Sequence, residues 1–338
     1  MIERTRIMKT LRISPLWWPL LVLLSPVLAL FLFVKYRRYK KNLIEAARRN
    51  RERIDGVTTV SLPPLSHLDL TVLVESSFRD GFMGDAGVSY LVRNNGSTVL
   101  FDVAYGPDNE VLTHNADKLN ISLTDADALV ISHLHPDHMG GMKTMKTNTV
   151  LVPESFGDPN GMQCILPDEA DAPGFAASVA DGPGPVTDGI ATTGPLARSL
   201  FFLGLTEEQA LVARIEGKGL VVITGCGHPT VQVLMEMAEK MGNESIYAIV
   251  GGLHFPLTAG RKNWAGVKGQ MLIGTGYPVW RRMRTEDLDE AADAINRAGV
   301  KQVLLSPHDT CDFGLDRFRE RLDAEVSVLE AGGTYRIE

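Results

Sequence analysis

Residues 131–141 read ISHLHPDHMGG and hold three histidines and one aspartate within six positions: His133, His135, Asp137 and His138. Imidazole and carboxylate groups are the usual ligands of zinc and related ions. Side chains two residues apart on an extended segment point the same way, so His133 and His135 can bind one ion together. Asp137 and His138 follow a turn at Pro136 and can reach a second ion. The stretch therefore predicts a two-metal centre.

The sequence on both sides of this stretch favours the same interpretation. The apolar run Ala128–Ser132 predicts a buried strand that ends directly before His133 and fixes the loop on a rigid element. Gly140 and Gly141 allow the following helix to approach closely. A single histidine in a protein is most often structural, but four potential ligands in this spacing at a strand end favour metal binding.

This pattern resembles the H-x-H-x-D-H signature of the metallo-β-lactamase superfamily, and the resemblance extends over residues 70–338. It implies an α/β protein with an αββα sandwich, in which two mixed β-sheets have helices outside. It also implies two divalent ions, with zinc as the first choice and iron or manganese as alternatives. The segment LFDVAYG at 100–106 is similar to the family's LFDTG element, although the usual Thr-Gly is missing. In that family the aspartate matching Asp102 supports the metal loop without binding the ion; a plain strand-end turn is the alternative.

Four further motifs resemble one branch of that superfamily, the dihydropterin synthase-like enzymes of the methanopterin pathway. Asn115–Ala116 lies in the predicted helix before the metal loop. TGCGHP at 224–229 is similar to the branch's GCSH element, and GGLH at 251–254 to its GGFH element. SPH at 306–308 matches the branch's final ligand element. The branch's HCTG that follows from this histidine reads HDTC at 308–311 in this chain. Order and spacing agree with the branch, which implies a related site.

The remaining metal ligands follow from this resemblance. No histidine lies between His138 and His228, so the third histidine of the usual pattern is His228 or His254, and we favour His228. His308 follows a predicted strand and is the expected last ligand. Cys226 lies near the slot of the family's bridging aspartate and is either a thiolate ligand or a buried core thiol. His254 is a ligand, a supporting group or a substrate donor.

The expected chemistry depends on metal-activated water. A divalent ion lowers the pKa of bound water to about 7, so hydroxide is available at neutral pH. Asp137 is the candidate group that orients this water or acts as its base. The first functional hypothesis is a hydrolase of a small-molecule ester, phosphoester or lactone. The others are a transferase, because the branch's named member joins a pterin to a ribosyl phosphate unit, and a non-catalytic metal-binding sensor.

Composition and charge exclude several classes. The 338 residues are 44% hydrophobic and 22% charged, which excludes disorder and low complexity, and three cysteines do not form a disulfide framework. Residues 1–54 contain 13 Lys/Arg and 3 Asp/Glu, a balance of +10, so the rest carries −17 of the total of −7. Such an acidic remainder disfavours nucleic acid as a partner and a nuclease function. The sequence leaves the oligomeric state open.

The run Pro15–Val34 contains no charged residue and is long enough to cross a bilayer. Trp17, Trp18 and Tyr36 suit the membrane interfaces. A cleaved signal peptide and a buried core helix are the alternatives, but the run ends in a basic cluster rather than a cleavage site. We predict a transmembrane helix over 15–36. Four Lys/Arg precede the run and nine follow it up to residue 53, which favours a single-pass protein with a cytoplasmic C-terminal part.

The chain is therefore divided into a basic flank (1–14), the transmembrane helix (15–36), a basic juxtamembrane linker (37–67) with a helix over 37–54, and a catalytic domain (68–338).

Helices are predicted at Asn109–Leu119, Thr230–Met241 and Thr285–Ala298. The Gly- and Pro-rich segment at about 153–195 is predicted to be a long loop, either a lid or a surface insertion. Strands are predicted at Leu70–Glu75, Val88–Arg93, Thr98–Val103, Ala128–Ser132, Val150–Val152, Leu211–Ile215, Leu220–Thr224, Ile246–Val250, Gln302–Ser306, Val326–Leu329 and Thr334–Ile337.

Overall fold

A computed structural model describes residues 11–94, 96–261 and 263–338. Most of its strands form two seven-stranded sheets. The first sheet is antiparallel on one side and parallel from the strand Thr98–Phe101 onward. Its spatial order is β18 (Thr334–Ile337), β1 (Leu68–Val74), β2 (Ser89–Arg93), β3 (Thr98–Phe101), β4 (Ala128–Val130), β5 (Gln163–Leu166) and β6 (Ala176–Val179).

The second sheet is also mixed, with four parallel strands followed by antiparallel ones. Its spatial order is β17 (Glu325–Val328), β16 (Gln302–Leu305), β13 (Ile246–Gly251), β12 (Gly219–Thr224), β11 (Leu211–Ile215), β8 (Ile190–Thr192) and β7 (Gly184–Thr187). Two strand pairs lie apart from the sheets. They are β9 (Leu196–Leu200) with β10 (Gly204–Glu208), and the two-residue strands β14 (Asn263–Trp264) and β15 (Val267–Lys268).

Alternation of side chains along the strands places apolar groups on both faces of each sheet. In β12, Val221 and Ile223 pack between the two sheets, whereas Leu220 and Val222 pack on the outer side. In β4, Leu129 faces the outer side of the first sheet while its two neighbours face the second sheet. Both sheets are therefore buried on two faces, which requires helices outside them.

The helices supply these outer layers. The first sheet is covered by the helix Val111–Leu119, and the second by the helices Val231–Gly242, Thr285–Arg297 and Asp312–Arg321. The predicted sandwich of two mixed sheets with helices outside is confirmed. The longer helices are α1 (Trp18–Leu23), α2 (Ser25–Gly56), α3 (Val111–Leu119), α4 (Val231–Gly242), α5 (Thr285–Arg297) and α6 (Asp312–Arg321).

Two predictions of local structure are wrong. The segment at about 153–195, predicted to be a long loop, contains β5, β6, β7 and β8, which extend both sheets at one edge. The β6 side chains are all exposed, and Pro185 lies in the edge strand β7, so neither strand shows the apolar alternation of a core strand. Val150–Val152 is not a strand, since the neighbouring Thr149 forms only an isolated bridge with Asp171.

The apolar run 15–34 is divided between two helices. The chain turns at Leu24, and the segments Pro15–Leu23 and Ser25–Gly56 lie at 88° to each other. In the described part of the chain, no single helix meets the length and hydropathy needed to cross a bilayer, and this bent pair meets them only together. The predicted single transmembrane helix over 15–36 stays a prediction.

Both ends of this run contact the domain of residues 68–338. Before the run, the Ser14 amide donates to the Gly266 carbonyl oxygen at 2.9 Å. At its end, Lys35 Nζ donates to the Phe202 carbonyl oxygen at 2.9 Å. The segment predicted to be a juxtamembrane linker continues α2 as far as Gly56, and α2 packs on the β9–β10 hairpin. Four residues of α2 are buried. These are Tyr39, Ala46, Asn50 and Ile54.

Candidate metal centre

The predicted ligand segments all follow the carboxyl ends of parallel strands. The H-x-H-x-D-H loop follows β4, and the segments that hold His228, His254 and His308 follow β12, β13 and β16. Carboxyl ends of neighbouring parallel strands meet at one edge of a sheet, where open α/β folds bind ligands. The two sheets bring these edges together, so residues far apart in sequence share one site.

Three histidines form the first group of candidate ligands. His133, His135 and His228 each offer one ring nitrogen, and these atoms lie within 4.8 Å of one another. His135 Nδ1 and His228 Nε2 are 3.2 Å apart. The structure thus brings the favoured third histidine, His228, to the first two.

The second group contains Asp137, His138, Cys226 and His308, whose ligand atoms also lie within 4.8 Å of one another. Cys226 Sγ lies 3.2 Å from His138 Nε2 and 3.2 Å from His308 Nε2. An Asp137 carboxylate oxygen lies 3.9 Å from His138 Nε2. All six predicted ligands, together with Cys226, therefore surround one small volume.

Hydrogen bonds to the outer ring nitrogens orient three of these histidines. His138 Nδ1 donates to the Asp102 carboxylate at 2.6 Å, which gives Asp102 a supporting position behind the ligands. His133 Nδ1 lies 2.9 Å from Ser132 Oγ, and His308 Nδ1 lies 2.5 Å from Ser306 Oγ. Such partners fix the tautomer in which Nε2 is free to bind a metal.

The buried ring nitrogens fit divalent ions. His133 Nε2 is buried and has no hydrogen-bond partner among the described residues. Burial, followed by the charge of neighbouring histidines, lowers the pKa of His133, His138 and His228 well below 6.5, and burial lowers that of His135 to about 3. These imidazoles are therefore neutral at pH 7, which is the form that binds metal. A buried cluster of neutral nitrogens beside a carboxylate and a thiol is a suitable donor set for zinc or iron.

His308 and Cys226 respond differently to burial. Burial alone lowers the pKa of His308, but the carboxylates of Asp309 and Glu75 outweigh it and raise the pKa to about 9. Burial, and then Asp309, raises the pKa of the Cys226 thiol well above 9.0. A bound cation would favour the neutral imidazole and the thiolate over these protonated forms.

His254 lies at the edge of the first group. It forms a third set with Cys226 and His228, and its ring centroid lies 4.6 Å from that of His228. Both of its ring nitrogens are buried without a hydrogen-bond partner among the described residues, although Nδ1 lies 3.5 Å from the Asp309 carboxylate. This geometry is compatible with each of the three roles predicted for His254, which are a metal ligand, a supporting group and a substrate donor.

Two buried glutamates belong to the site and are absent from the sequence prediction. The Glu208 carboxylate accepts the backbone N–H groups of Cys226, Gly227 and His228 at 3.0, 2.7 and 2.7 Å. Glu75 accepts the hydroxyls of Tyr90 and Ser306, so it supports His308 through Ser306. Glu75 is a charged residue directly after the apolar run of β1, and this position could have identified it in the sequence. No local sequence pattern distinguishes Glu208 from the adjacent Glu207.

A cavity of about 310 Å³ opens beside the histidines. His228 and His254 form one wall, and the segment between β15 and α5 forms another. Its volume suits a small organic molecule. The polar side chains and backbone positions around it include Arg198, Thr230, Gln232, Thr275, Tyr277 and Arg281.

Comparison with known proteins supports the metallo-β-lactamase superfamily. The metallo-beta-lactamase superfamily model matches residues 83–157, which include the H-x-H-x-D-H loop. The fold is similar to that of Tm1679, described as a metal-dependent hydrolase of the beta-lactamase superfamily. The TM-score is 0.57 with 21% identity, covering 80% of this chain and 99% of that chain. The chain therefore has the metallo-β-lactamase fold, and this fold with its ligand clusters supports a divalent-metal centre.

A distant sequence relative agrees with the motifs of the methanopterin branch. The chain is 25% identical over 220 residues to the 7,8-dihydropterin-6-methyl-4-(beta-D-ribofuranosyl)-aminobenzene-5'-phosphate synthase of Methanocaldococcus jannaschii. The match covers 53% of this chain and 74% of the relative. This is weak homology to a methanopterin-pathway synthase.

Proposed function

We propose that this protein is a metal-dependent hydrolase of a small-molecule ester, phosphoester or lactone. The observation that carries the proposal is the arrangement of two ligand groups that lie next to each other and beside a cavity. His133, His135 and His228 would hold one ion, and Asp137, His138 and His308 the other. Divalent ions at these positions would supply Lewis-acid activation of water and of the bond to be broken.

Asp137 is the candidate catalytic group. Its side chain is 23% exposed, whereas those of His138 and His308 are fully buried, so of these three its carboxylate is the one open to solvent. A carboxylate at this position can orient a water molecule and accept its proton. The backbone at Asp137 and His138 is fixed, since the Asp137 carbonyl oxygen accepts the Val88 amide and the His138 carbonyl oxygen accepts the Val103 amide.

The test is metal analysis of the full-length protein in detergent, followed by a screen of phosphoester, lactone and pterin substrates. We expect about two ions per chain and hydrolysis that is lost on chelation and restored by metal. A matched control is His114→Ala, because His114 lies on α3 outside both ligand groups. Metal-loaded protein that hydrolyses none of these substrates would count against the hydrolase.

A transferase is the second candidate, supported by the weak homology to the dihydropterin synthase. The same metal centre would then activate a group for transfer to a second substrate rather than to water. Supplying pterin and ribosyl phosphate substrates together separates the two candidates: a hydrolase releases products from one substrate, whereas a transferase needs both. Metal binding without any turnover would instead favour the sensor.

We also propose that the run 15–34 attaches the protein to the cytoplasmic face of a membrane. Most of its large apolar side chains are exposed, Val27 by 70% and Leu30 by 65%, and a basic cluster from Lys35 to Lys41 follows. Basic residues beside an apolar segment bind anionic lipid headgroups. Because both ends of the run contact the same domain, insertion of the bent pair from one face fits these contacts better than a full crossing.

Membrane attachment is tested by fractionation of cells expressing the full-length protein. We expect the wild type to stay with membranes after a high-salt wash, and the Val27→Asp, Leu30→Asp double variant to become soluble. Ile44→Asp is the control, because Ile44 is 72% exposed on the same helix but lies outside the run. An N-terminal tag that protease removes from outside intact cells would indicate a crossing; digestion of the domain itself would refute the cytoplasmic orientation.

A further inference from the structure

Arg198 is a cation without a partner at the cavity beside the metal centre. It lies in the middle of β9, between buried neighbours, and lines the same cavity as His228. Among the described residues its side chain has no hydrogen bond or ion pair, although most other arginines of the domain pair with a carboxylate. The Arg198 residue is intermediate in exposure, and a guanidinium at a cavity wall that has no protein partner is available to bind an anion.

The amino end of α4 faces the same cavity. Thr230, Val231 and Gln232 line it, and Thr230, the N-cap residue directly before the helix, makes no side-chain capping hydrogen bond. Thr230 has a φ of 85°, an unusual value for a β-branched residue. The first N–H groups of a helix have no partner within the helix, and together with the helix dipole they favour an anion.

His254 is an independent sign that a ligand occupies this cavity. It is only 9% exposed and lines the cavity, yet neither ring nitrogen has a hydrogen-bond partner among the described residues. A buried imidazole without a partner is costly unless a ligand or ion satisfies it. His254 lies next to His228, so a molecule that reaches His254 also reaches the metal centre.

The carboxylates that line the cavity do not neutralise the charge of Arg198. Asp287 lies 3.6 Å from the guanidinium of Arg281, and Glu290 is exposed at the rim. The guanidinium of Arg281 also stacks on Tyr277, with 3.9 Å between its central carbon and the ring centroid, which holds it at the cavity. Neither carboxylate forms an ion pair with Arg198, so the inner part of the cavity is cationic.

We propose that this cavity contains an oxyanion subsite, in which Arg198 and the amino end of α4 bind a phosphate or carboxylate group of the substrate. Arg281 would contribute a second cation from the rim, and His254 would hydrogen-bond the part of the substrate nearest the metal centre. This inference deepens the proposed hydrolase function and rests on it, since it assigns the substrate class to the same site. The substrate is then a small anionic molecule whose anionic group lies apart from the bond that is broken.

The first test measures binding of inorganic phosphate to the full-length, metal-loaded protein by calorimetry. We expect Arg198→Gln to weaken phosphate binding at least about tenfold, the usual effect of losing a charge-assisted hydrogen bond, and Arg198→Lys to weaken it less. Arg214→Gln is the matched control, because Arg214 pairs with Glu244 and does not line the cavity. Equal phosphate affinities of the wild type and Arg198→Gln would overturn the subsite.

The second test compares an ester that carries a distant carboxylate with its neutral methyl amide. We expect the wild type to prefer the anionic ester, and Arg198→Gln to lower the ratio of the two kcat/KM values at least about tenfold. Hydrolysis with a ratio that does not change would overturn the subsite but leave the hydrolase intact. Phosphate binding that depends on Arg198 without turnover of any ester would support the subsite and refute the hydrolase. Melting temperatures of all variants show whether they fold.

Discussion

Asn50 and Ala197 exchange two hydrogen bonds: Asn50 Nδ2 donates to the Ala197 carbonyl oxygen at 2.9 Å, and the Ala197 amide donates to Asn50 Oδ1 at 2.6 Å. The side chain of Asn50 thus replaces a strand neighbour at the edge of β9. Next to it, Glu207 of β10 forms ion pairs with Arg49 and Arg53 of α2. Helix α2 is therefore part of the domain's structure and supports the hairpin that carries Arg198.

Replacing Asn50 with alanine is expected to destabilise this hairpin. The change leaves a buried N–H and a buried carbonyl group of Ala197 without partners, and we expect the free energy of unfolding to fall by about 2 kcal/mol. Denaturant titration of the full-length protein in detergent measures this. Asn42→Ala is the control, because Asn42 lies on the same helix and makes no side-chain hydrogen bond with a described residue. Equal stability of the two variants would contradict the supporting role.

Metal content distinguishes His228 from His254 as the third histidine ligand. His228 Nε2 lies 3.2 Å from His135 Nδ1, so we expect His228→Ala to lower the content from about two ions towards one per chain. His254→Ala is expected to keep both ions, because His254 is outside the set formed by His133, His135 and His228. Elemental analysis of the purified variants gives the answer. The reverse result, with loss of metal only in His254→Ala, would show that His254 is the ligand.

The sequence predicts the layered fold and the metal loop because both depend on local patterns. Apolar runs such as those of β12 and β13 are continuous, as expected for parallel strands buried on two faces. His133 to His138 are adjacent in sequence, so their joint role needs no knowledge of the fold. The strand β6 could not be predicted from such a pattern, because its side chains are exposed and do not pack in a core. It is a strand only through its pairing with β5.

Residues that act through tertiary contacts could not be predicted in this way. Glu207 and Glu208 are adjacent and chemically identical, yet one pairs with α2 and the other holds the loop at 226–228. In the sequence, nothing distinguishes Arg198 from other strand arginines. Its position at the cavity and the lack of a partner for its side chain become apparent only in the structure. The position of α2 depends on pairings such as Asn50 with Ala197, which are 147 residues apart. Only the assembled fold brings such groups together.

Glu208 is predicted to maintain the loop that holds Cys226 and His228. Glu208→Ala leaves three buried N–H groups without an acceptor, and we expect the free energy of unfolding to fall by at least about 3 kcal/mol, with loss of bound metal. Glu208→Gln keeps an acceptor oxygen, so we expect it to lose less stability and less metal than Glu208→Ala. Thermal unfolding and metal analysis on the same samples measure both effects. Glu216→Ala, a change at an exposed residue beyond β11, is the control. Full metal content in Glu208→Ala would show that the loop does not need this carboxylate.

Asp137→Asn separates catalysis from folding. Asparagine keeps the shape of the side chain but removes the negative charge and one acceptor, so the variant is expected to fold and to retain metal less tightly. Loss of a general base typically lowers turnover by about 100- to 10,000-fold, and we expect a decrease of at least about 100-fold. Turnover is measured with the substrate found in the screen, after metal content is matched to the wild type. A metal-loaded variant with near-normal turnover would remove Asp137 from the mechanism and leave another group near the cavity, such as His254, to accept the proton.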